Sequence, residues 1–129
     1  MINWGAVGSM FLALAVGLGA FGAHGLRDRL DPYEMAVYEK AVFYHFVHAL
    51  GLLVLPALAK AGLLSSAGAS RVGWMLATGV LLFSGSLYVL ALTGVRTLGA
   101  VTPFGGVAFI AAWAMLAWDL VQYSDRSHT

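Results

Sequence analysis

The chain has no cysteine and very little charge. Among its 129 residues are seven lysines and arginines and six aspartates and glutamates, so the formal net charge is +1. The absence of cysteine excludes disulfides, thiolate metal ligands and cysteine nucleophiles. A net charge this small argues against nucleic acid as a partner, because nucleic-acid-binding domains carry clustered basic residues. A separate soluble domain is also missing, since the longest polar stretch, residues 25–40, is far below domain size.

Apolar side chains make up most of the sequence. Hydrophobic residues account for 60% of the chain, and its mean hydropathy is +0.84. A soluble protein of this size is mostly surface and cannot bury that much apolar area. We therefore predict a single membrane domain over residues 1–129.

Four apolar runs are each close to the roughly 20 residues that cross a hydrocarbon core. They cover about residues 3–23, 41–59, 72–93 and 103–123. Backbone polar groups in lipid must bond within their own segment, so each run is predicted to be a helix. The predicted fold is all-α, a multi-pass four-helix bundle with up-down-up-down topology and both termini on one side.

Prolines mark two predicted helix starts. Asp31 is the expected N-cap of helix 2, with Pro32 in the first turn and Glu34 completing a capping box, so this helix should start near residue 32, outside the hydrocarbon. Thr102 is the expected N-cap of helix 4, with Pro103 at its first position. Elsewhere, Pro56 should kink or end helix 2, residues 62–70 should form a plain turn, and residues 98–101 should be irregular.

Aromatic and small residues support this arrangement. An interfacial belt on the side of the termini is predicted from Trp4, Trp74, Trp118 and Tyr123. Two rows of mostly small residues recur at four-residue spacing, namely Ala15, Gly19 and Ala23 on helix 1 and Gly106, Ile110 and Ala114 on helix 4. Such rows let helices approach closely in lipid. Packing within the bundle is the favoured interpretation, and a homo-oligomer seam is the alternative.

Polar residues converge on the end of the bundle away from the termini. They are His24 on helix 1, Tyr44, His45 and His48 on helix 2, Ser84, Ser86 and Tyr88 on helix 3, and Thr102 on helix 4. Three interpretations compete. The favoured one is an internal hydrogen-bond network that fixes helix register. The others are a metal or haem site, for which the ligand set is incomplete, and a small-molecule, headgroup or proton site.

Four stretches resemble one protein family: GAFGAHGL (19–26), YHFVHALGLL (44–53), LFSGSLYVLALTG (82–94) and VTPFGGVAFIAAW (101–113). Together they are similar to the family of domain of unknown function 423, small bacterial inner-membrane proteins related to the eukaryotic transmembrane protein 256. The resemblance covers nearly the whole chain in order. It implies a four-helix protein of the cell inner (plasma) membrane, and no activity, because the family has no established one.

The resemblance also assigns individual positions. Family motif positions are occupied by His24, His48, Ser84, Gly85, Ser86, Tyr88, Thr102, Pro103, Gly105 and Gly106. Of these, Pro103, Gly105 and Gly106 form a helix-start and close-packing motif. His45 falls where the family carries other polar residues, which disfavours a three-histidine metal site and favours a His24–His48 network.

The sequence therefore predicts a buried His48 that is hydrogen-bonded across the bundle. Its expected partners are His24 and a hydroxyl from helix 3 or the start of helix 4, with Tyr44 bracing it, while His45 should point to the headgroups or to a neighbouring subunit. No metal, cofactor or enzymatic activity is expected. The predicted role is a structural or accessory bundle in the lipid bilayer, packing as a homo-oligomer or within a larger membrane complex. The alternative is a transporter, channel or small-molecule- or lipid-binding protein that uses the polar end.

Overall fold

Four long helices make up most of the molecule. The computed structural model describes residues 1–128, with α1 (Trp4–His24), α2 (Pro32–Lys60), α3 (Ser66–Thr93), a 3-10 helix (Arg96–Ala100) and α4 (Thr102–Ser127). All four long helices are long and apolar enough to cross a membrane. The predicted all-α, four-helix fold with both termini on one side is confirmed. Each predicted span lies within one helix, except that Asn3 caps α1 instead of belonging to it.

Each helix packs against the next one along the chain, and α2 and α3 lie in the centre. Thirteen of the 28 residues of α3 are buried, against four of the 21 in α1 and four of the 26 in α4. In a bilayer, the remaining surfaces of α1 and α4 face lipid or other membrane helices.

Glycines bring the outer helices into backbone contact with the central pair. A Cβ on Gly8 of α1 would lie 2.8 Å from the backbone N of Leu53, and one on Gly105 of α4 would lie 2.4 Å from the backbone N of Phe83. Such close approach matters in lipid, where helix association depends on packing more than on expulsion of water.

The two predicted helix starts have different outcomes. At α2, the capping box is present: Glu34 N donates to Asp31 Oδ1 at 2.7 Å and Asp31 N donates to Glu34 Oε2 at 3.3 Å. At α4, the predicted Thr102 cap is wrong. The preceding residue, Val101, already has helical backbone angles and caps without a side-chain bond. The 3-10 helix therefore leads directly into α4, and Thr102 is its first residue.

Two other local predictions are met only in part. Pro56 is predicted to kink or end helix 2; α2 continues past it to Lys60, so this proline does not end the helix, and the kink stays a prediction. The predicted turn at residues 62–70 is half helical, because the Ser65 side chain accepts a hydrogen bond from Gly68 N and α3 begins at Ser66. Helix α3 thus extends well beyond its predicted hydrocarbon span.

The aromatic residues near the termini divide into two kinds. Trp74, Trp118 and Tyr123 are exposed, as an interfacial belt requires. Trp4 is only 6% exposed; it packs over Gly73 and meets Trp74 edge-on at 5.5 Å. Trp4 therefore holds α1 to α3 instead of facing the headgroups.

Candidate functional site

One stripe of α2 carries the polar region. Its buried residues include Tyr38, Ala41, His45, His48, Leu52 and Leu55, which alternate at spacings of three and four. This spacing keeps side chains on one side of a helix. Both histidines are therefore buried, with 4% of His45 and 5% of His48 exposed. The prediction that His45 faces the headgroups or another subunit is wrong for this structure.

His45 lies between α1 and α3. Its Nδ1 is 2.9 Å from the Tyr88 hydroxyl of α3, and its ring meets that of Phe11 from α1 edge-on at 6.0 Å. The neighbouring Tyr38, 1% exposed, donates its hydroxyl proton to the Leu18 carbonyl of α1. The rings of Tyr38 and Tyr88 meet at 5.3 Å. We call His45, Tyr38 and Tyr88 the phenol cluster; it joins α1, α2 and α3.

The hydroxyls of α3 connect it to both neighbouring helices. Ser84, fully buried, donates to the Ala41 carbonyl of α2 at 2.8 Å. Ser86 donates to the Phe83 carbonyl at 2.9 Å, and its Oγ is 2.7 Å from Thr102 Oγ1 of α4. Since the Ser86 proton goes to the carbonyl, Thr102 is the donor in the second bond. Thr102 thus links α3 to α4 instead of capping α4.

His48 lies among aromatic rings at the edge of the same stripe that faces α4. Its ring stacks on Phe109 of α4, with centroids 3.5 Å apart and planes 14° from parallel. The Tyr44 ring is also nearly parallel to the His48 ring, with centroids 5.8 Å apart and planes 7° from parallel. The Trp113 ring centroid lies 5.8 Å from that of His48. Phe83 of α3 is 4.4 Å from the Tyr44 ring. We call these five rings the aromatic cluster; it joins α2, α3 and α4.

The predicted hydrogen-bond partners of His48 are not the observed ones. Its Nδ1 is 2.7 Å from the Tyr44 carbonyl, one turn earlier in the same helix, so Tyr44 does brace it. His24 is exposed and lies far from it. The antiparallel register explains why: Gly8 and Phe11 of α1 lie level with this part of α2, and His24 is about 20 Å further along the axis.

Glycines make room for both clusters. A Cβ on Gly22 would lie 2.4 Å from the Tyr38 ring, and one on Gly79 would lie 2.5 Å from the Phe109 ring. In the predicted close-packing motif, Gly105 meets the α3 backbone, but a Cβ on Gly106 would meet only Phe83 at 3.9 Å. Gly106 is therefore not needed for close packing, while Pro103 lies in the first turn of α4 as expected.

The residues predicted as one polar network thus fall into separate groups. His48 and Tyr44 belong to the aromatic cluster, Tyr88 to the phenol cluster, and Ser84, Ser86 and Thr102 to bonds between helices. Sequence reasoning missed Tyr38 and Phe109. Tyr38 could have been found, because it lies seven residues before His45 on the same stripe. Phe109 carried no such signal, because its partner is on another helix.

A narrow cleft opens beside the phenol cluster, between α1 and α3. Its volume is about 120 Å³, and its lining includes Phe11, Leu14, His45, Ser84, Gly85 and Tyr88. Ligand pockets typically measure about 300–1,000 Å³, so this cleft is small for a substrate. Within residues 1–128, no group of three or more histidines, aspartates and glutamates is placed to hold a metal ion.

This fold defines the class: a multi-pass helical membrane protein whose buried polar groups are paired mainly within the bundle. The model of the family described as "Protein of unknown function (DUF423)" matches residues 18–106, which is more than half of the chain. The chain belongs to this family.

Similar proteins are membrane proteins by name. The chain is 48% identical over 118 residues to the UPF0382 membrane protein YwdK of Bacillus subtilis, covering 91% of this chain and 94% of that one. It is 50% identical over 121 residues to a UPF0382 membrane protein of Staphylococcus epidermidis, covering 92% and 94%. For a UPF0382 membrane protein of Staphylococcus haemolyticus the identity is 48% over 110 residues, covering 85% and 88%. No solved structure matches the chain significantly.

Proposed function

We propose that the protein is a structural or accessory component of the inner (plasma) membrane, without enzymatic activity, that packs with other membrane-spanning helices. One observation carries this proposal: the buried polar side chains are engaged inside the bundle. His45, His48, Ser84 and Ser86 each bond to another part of the bundle or to the backbone of their own helix. Ser84 in particular donates to a backbone carbonyl and not to a histidine that could activate it as a nucleophile, and the cleft that Ser84 lines is only about 120 Å³.

The small-residue row predicted on α1, Ala15, Gly19 and Ala23, packs partly within the bundle. Ala15 is fully buried, and a Cβ on Gly19 would lie 3.5 Å from Val42 of α2.

A second row, Ser9, Ala13 and Gly17, is exposed, and a Cβ on Gly17 would meet nothing within 4 Å. Small residues four apart are typical of contacts between membrane helices. The partner is a second copy of the chain or a helix of a larger membrane complex.

Cysteine crosslinking in native membranes tests this proposal. Because the chain has no cysteine, Ala13→Cys supplies a single crosslinking position on this face. We expect a crosslinked product of discrete mass above the 13.6 kDa of one chain. Adding Gly17→Leu should abolish the crosslinked product. Adding Val107→Leu should not, because Val107 is 66% exposed and lies on α4. A 13.6 kDa species alone, or a product insensitive to Gly17→Leu, would contradict the proposal.

A further inference from the structure

A polar cleft lies at the end of the bundle that holds the termini, far from the phenol cluster and the aromatic cluster. It is formed by the α2–α3 connection, the start of α3 and the last turns of α4, and its volume is about 430 Å³. Its polar lining consists of Ser65, Arg71, Asp119, Tyr123 and Arg126. We propose that this cleft binds the phosphodiester headgroup of a phospholipid from the leaflet on the side of the termini.

Arg71 is held in position at the edge of this cleft. Its Nη2 lies 3.5 Å from Asp119 Oδ2, an oxygen that is buried and accepts no hydrogen bond from residues 1–128. Gly68 leaves room for this oxygen, since a Cβ there would lie 2.8 Å from it. The Arg71 side chain nevertheless stays 54% exposed. Its guanidinium is therefore anchored by charge while its N–H groups stay accessible to phosphate oxygens.

The donors that line the cleft suit a phosphate. Arg71 and Arg126 each contribute a guanidinium group to the lining, and arginine can bond a phosphate group with two N–H donors. The hydroxyls of Ser65 and Tyr123 add neutral donors. A basic site at the membrane surface attracts the phosphates of lipid headgroups.

An apolar groove adjoins this cleft, and it indicates a lipid as the ligand instead of a free phosphate ion. A second cleft, about 280 Å³ in volume, shares Arg71 and Asp119 and extends along α4 past Ala114, Met115 and Trp118. Ala114 lies more than a turn before Asp119, toward the membrane interior. Trp118 is 65% exposed, as expected at the headgroup level. The two clefts together match a charged headgroup followed by an acyl chain.

Native mass spectrometry of the full chain in detergent tests the proposal. Three probes are titrated: dioleoyl phosphatidylglycerol, dioleoylglycerol with the same tails and no phosphate, and inorganic phosphate. We expect one phosphatidylglycerol per chain, weak dioleoylglycerol binding, and no displacement of the lipid by millimolar phosphate. Equal binding of dioleoylglycerol would overturn the headgroup role, and displacement by phosphate would show a site for a free anion only.

Variants locate the site. Arg71→Gln should weaken phosphatidylglycerol binding roughly fivefold, the effect of about 1 kcal/mol per basic residue near a membrane surface. Lys60→Gln removes a charge outside the cleft lining on the same side of the membrane and should have less than half that effect. Ala114→Phe should block the groove, and Ala117→Phe, on α4 outside both clefts, should not. Arg126→Gln replaces Arg71→Gln if the latter fails to fold. Equal losses within either matched pair would show nonspecific association and overturn the proposal.

Discussion

His45 and His48 lie three residues apart on the same helix and are almost equally buried, yet different interactions hold them. His45 bonds a phenol on another helix at 2.9 Å. His48 bonds a carbonyl of its own helix and stacks on a ring of α4 at 3.5 Å. The comparison shows that helical spacing determines which residues are buried, while the neighbouring helix determines what each one touches. The edge of this buried stripe toward α1 is joined mainly by hydrogen bonds, and the edge toward α4 by ring packing.

Removal of Phe109 should have the largest effect, because it removes the ring on which His48 stacks. We expect Phe109→Ala to lower the free energy of unfolding by about 3 kcal/mol or more through lost contacts and a cavity. Circular dichroism during SDS titration in mixed micelles would measure this. The control is Ile110→Ala, at a position 72% exposed to lipid. A loss no larger than that of the control would mean that the aromatic cluster does not hold α4.

An added methyl group at Gly79 should have the next largest effect. Its Cβ would lie 2.5 Å from the Phe109 ring, whereas one on Gly85, on the same helix, would meet nothing within 4 Å. We expect Gly79→Ala to cost about 1–3 kcal/mol through overpacking. Gly85→Ala should be neutral or slightly stabilising, because alanine favours helix. The same unfolding measurement compares them, and indistinguishable values would contradict the assigned packing.

Replacing each histidine with phenylalanine should distinguish the hydrogen-bonded edge of the α2 stripe from the stacked edge directly. His45→Phe leaves the hydroxyl of the half-buried Tyr88 without this partner and should cost about 1–2 kcal/mol. His48→Phe should cost less, because the Tyr44 carbonyl keeps its helical hydrogen bond from the backbone N–H of residue 48. A phenylalanine also keeps the stack on Phe109. A larger loss for His48→Phe than for His45→Phe would reverse the comparison.

Most of the fold could be predicted from the sequence, because apolar length and capping residues act locally. The Asp31 capping box is an example, since both partners lie within one turn. Thr102 shows the limit of this reasoning. Its sequence context is that of a cap, but the backbone is already helical at Val101, so Thr102 is the first residue of α4. Its hydroxyl therefore bonds to Ser86 instead of capping the helix.

The candidate site was harder to predict, because partners depend on the register between helices. His24 and His48 share family motifs and adjacent helices, but the antiparallel register places them at different depths. Tyr38 pairs with Leu18 and Gly22 of α1, which places the end of α1 beside the first turns of α2. His45, set aside because it departs from the family pattern, is buried because it follows the same spacing as Tyr38 and His48.

A double-mutant cycle tests the central comparison most directly. Unfolding free energies are measured for the wild type, His45→Phe, Tyr88→Phe and the double variant, and a parallel cycle replaces His45→Phe with His48→Phe. We predict a coupling energy of about 0.6–1.7 kcal/mol for His45 with Tyr88, from the average to the largest value typical of hydrogen bonds between membrane helices, and a value near zero for His48 with Tyr88. Zero coupling in the first cycle, or equal coupling in both, would contradict the assignment of a hydrogen-bonded edge and a stacked edge to the buried stripe of α2.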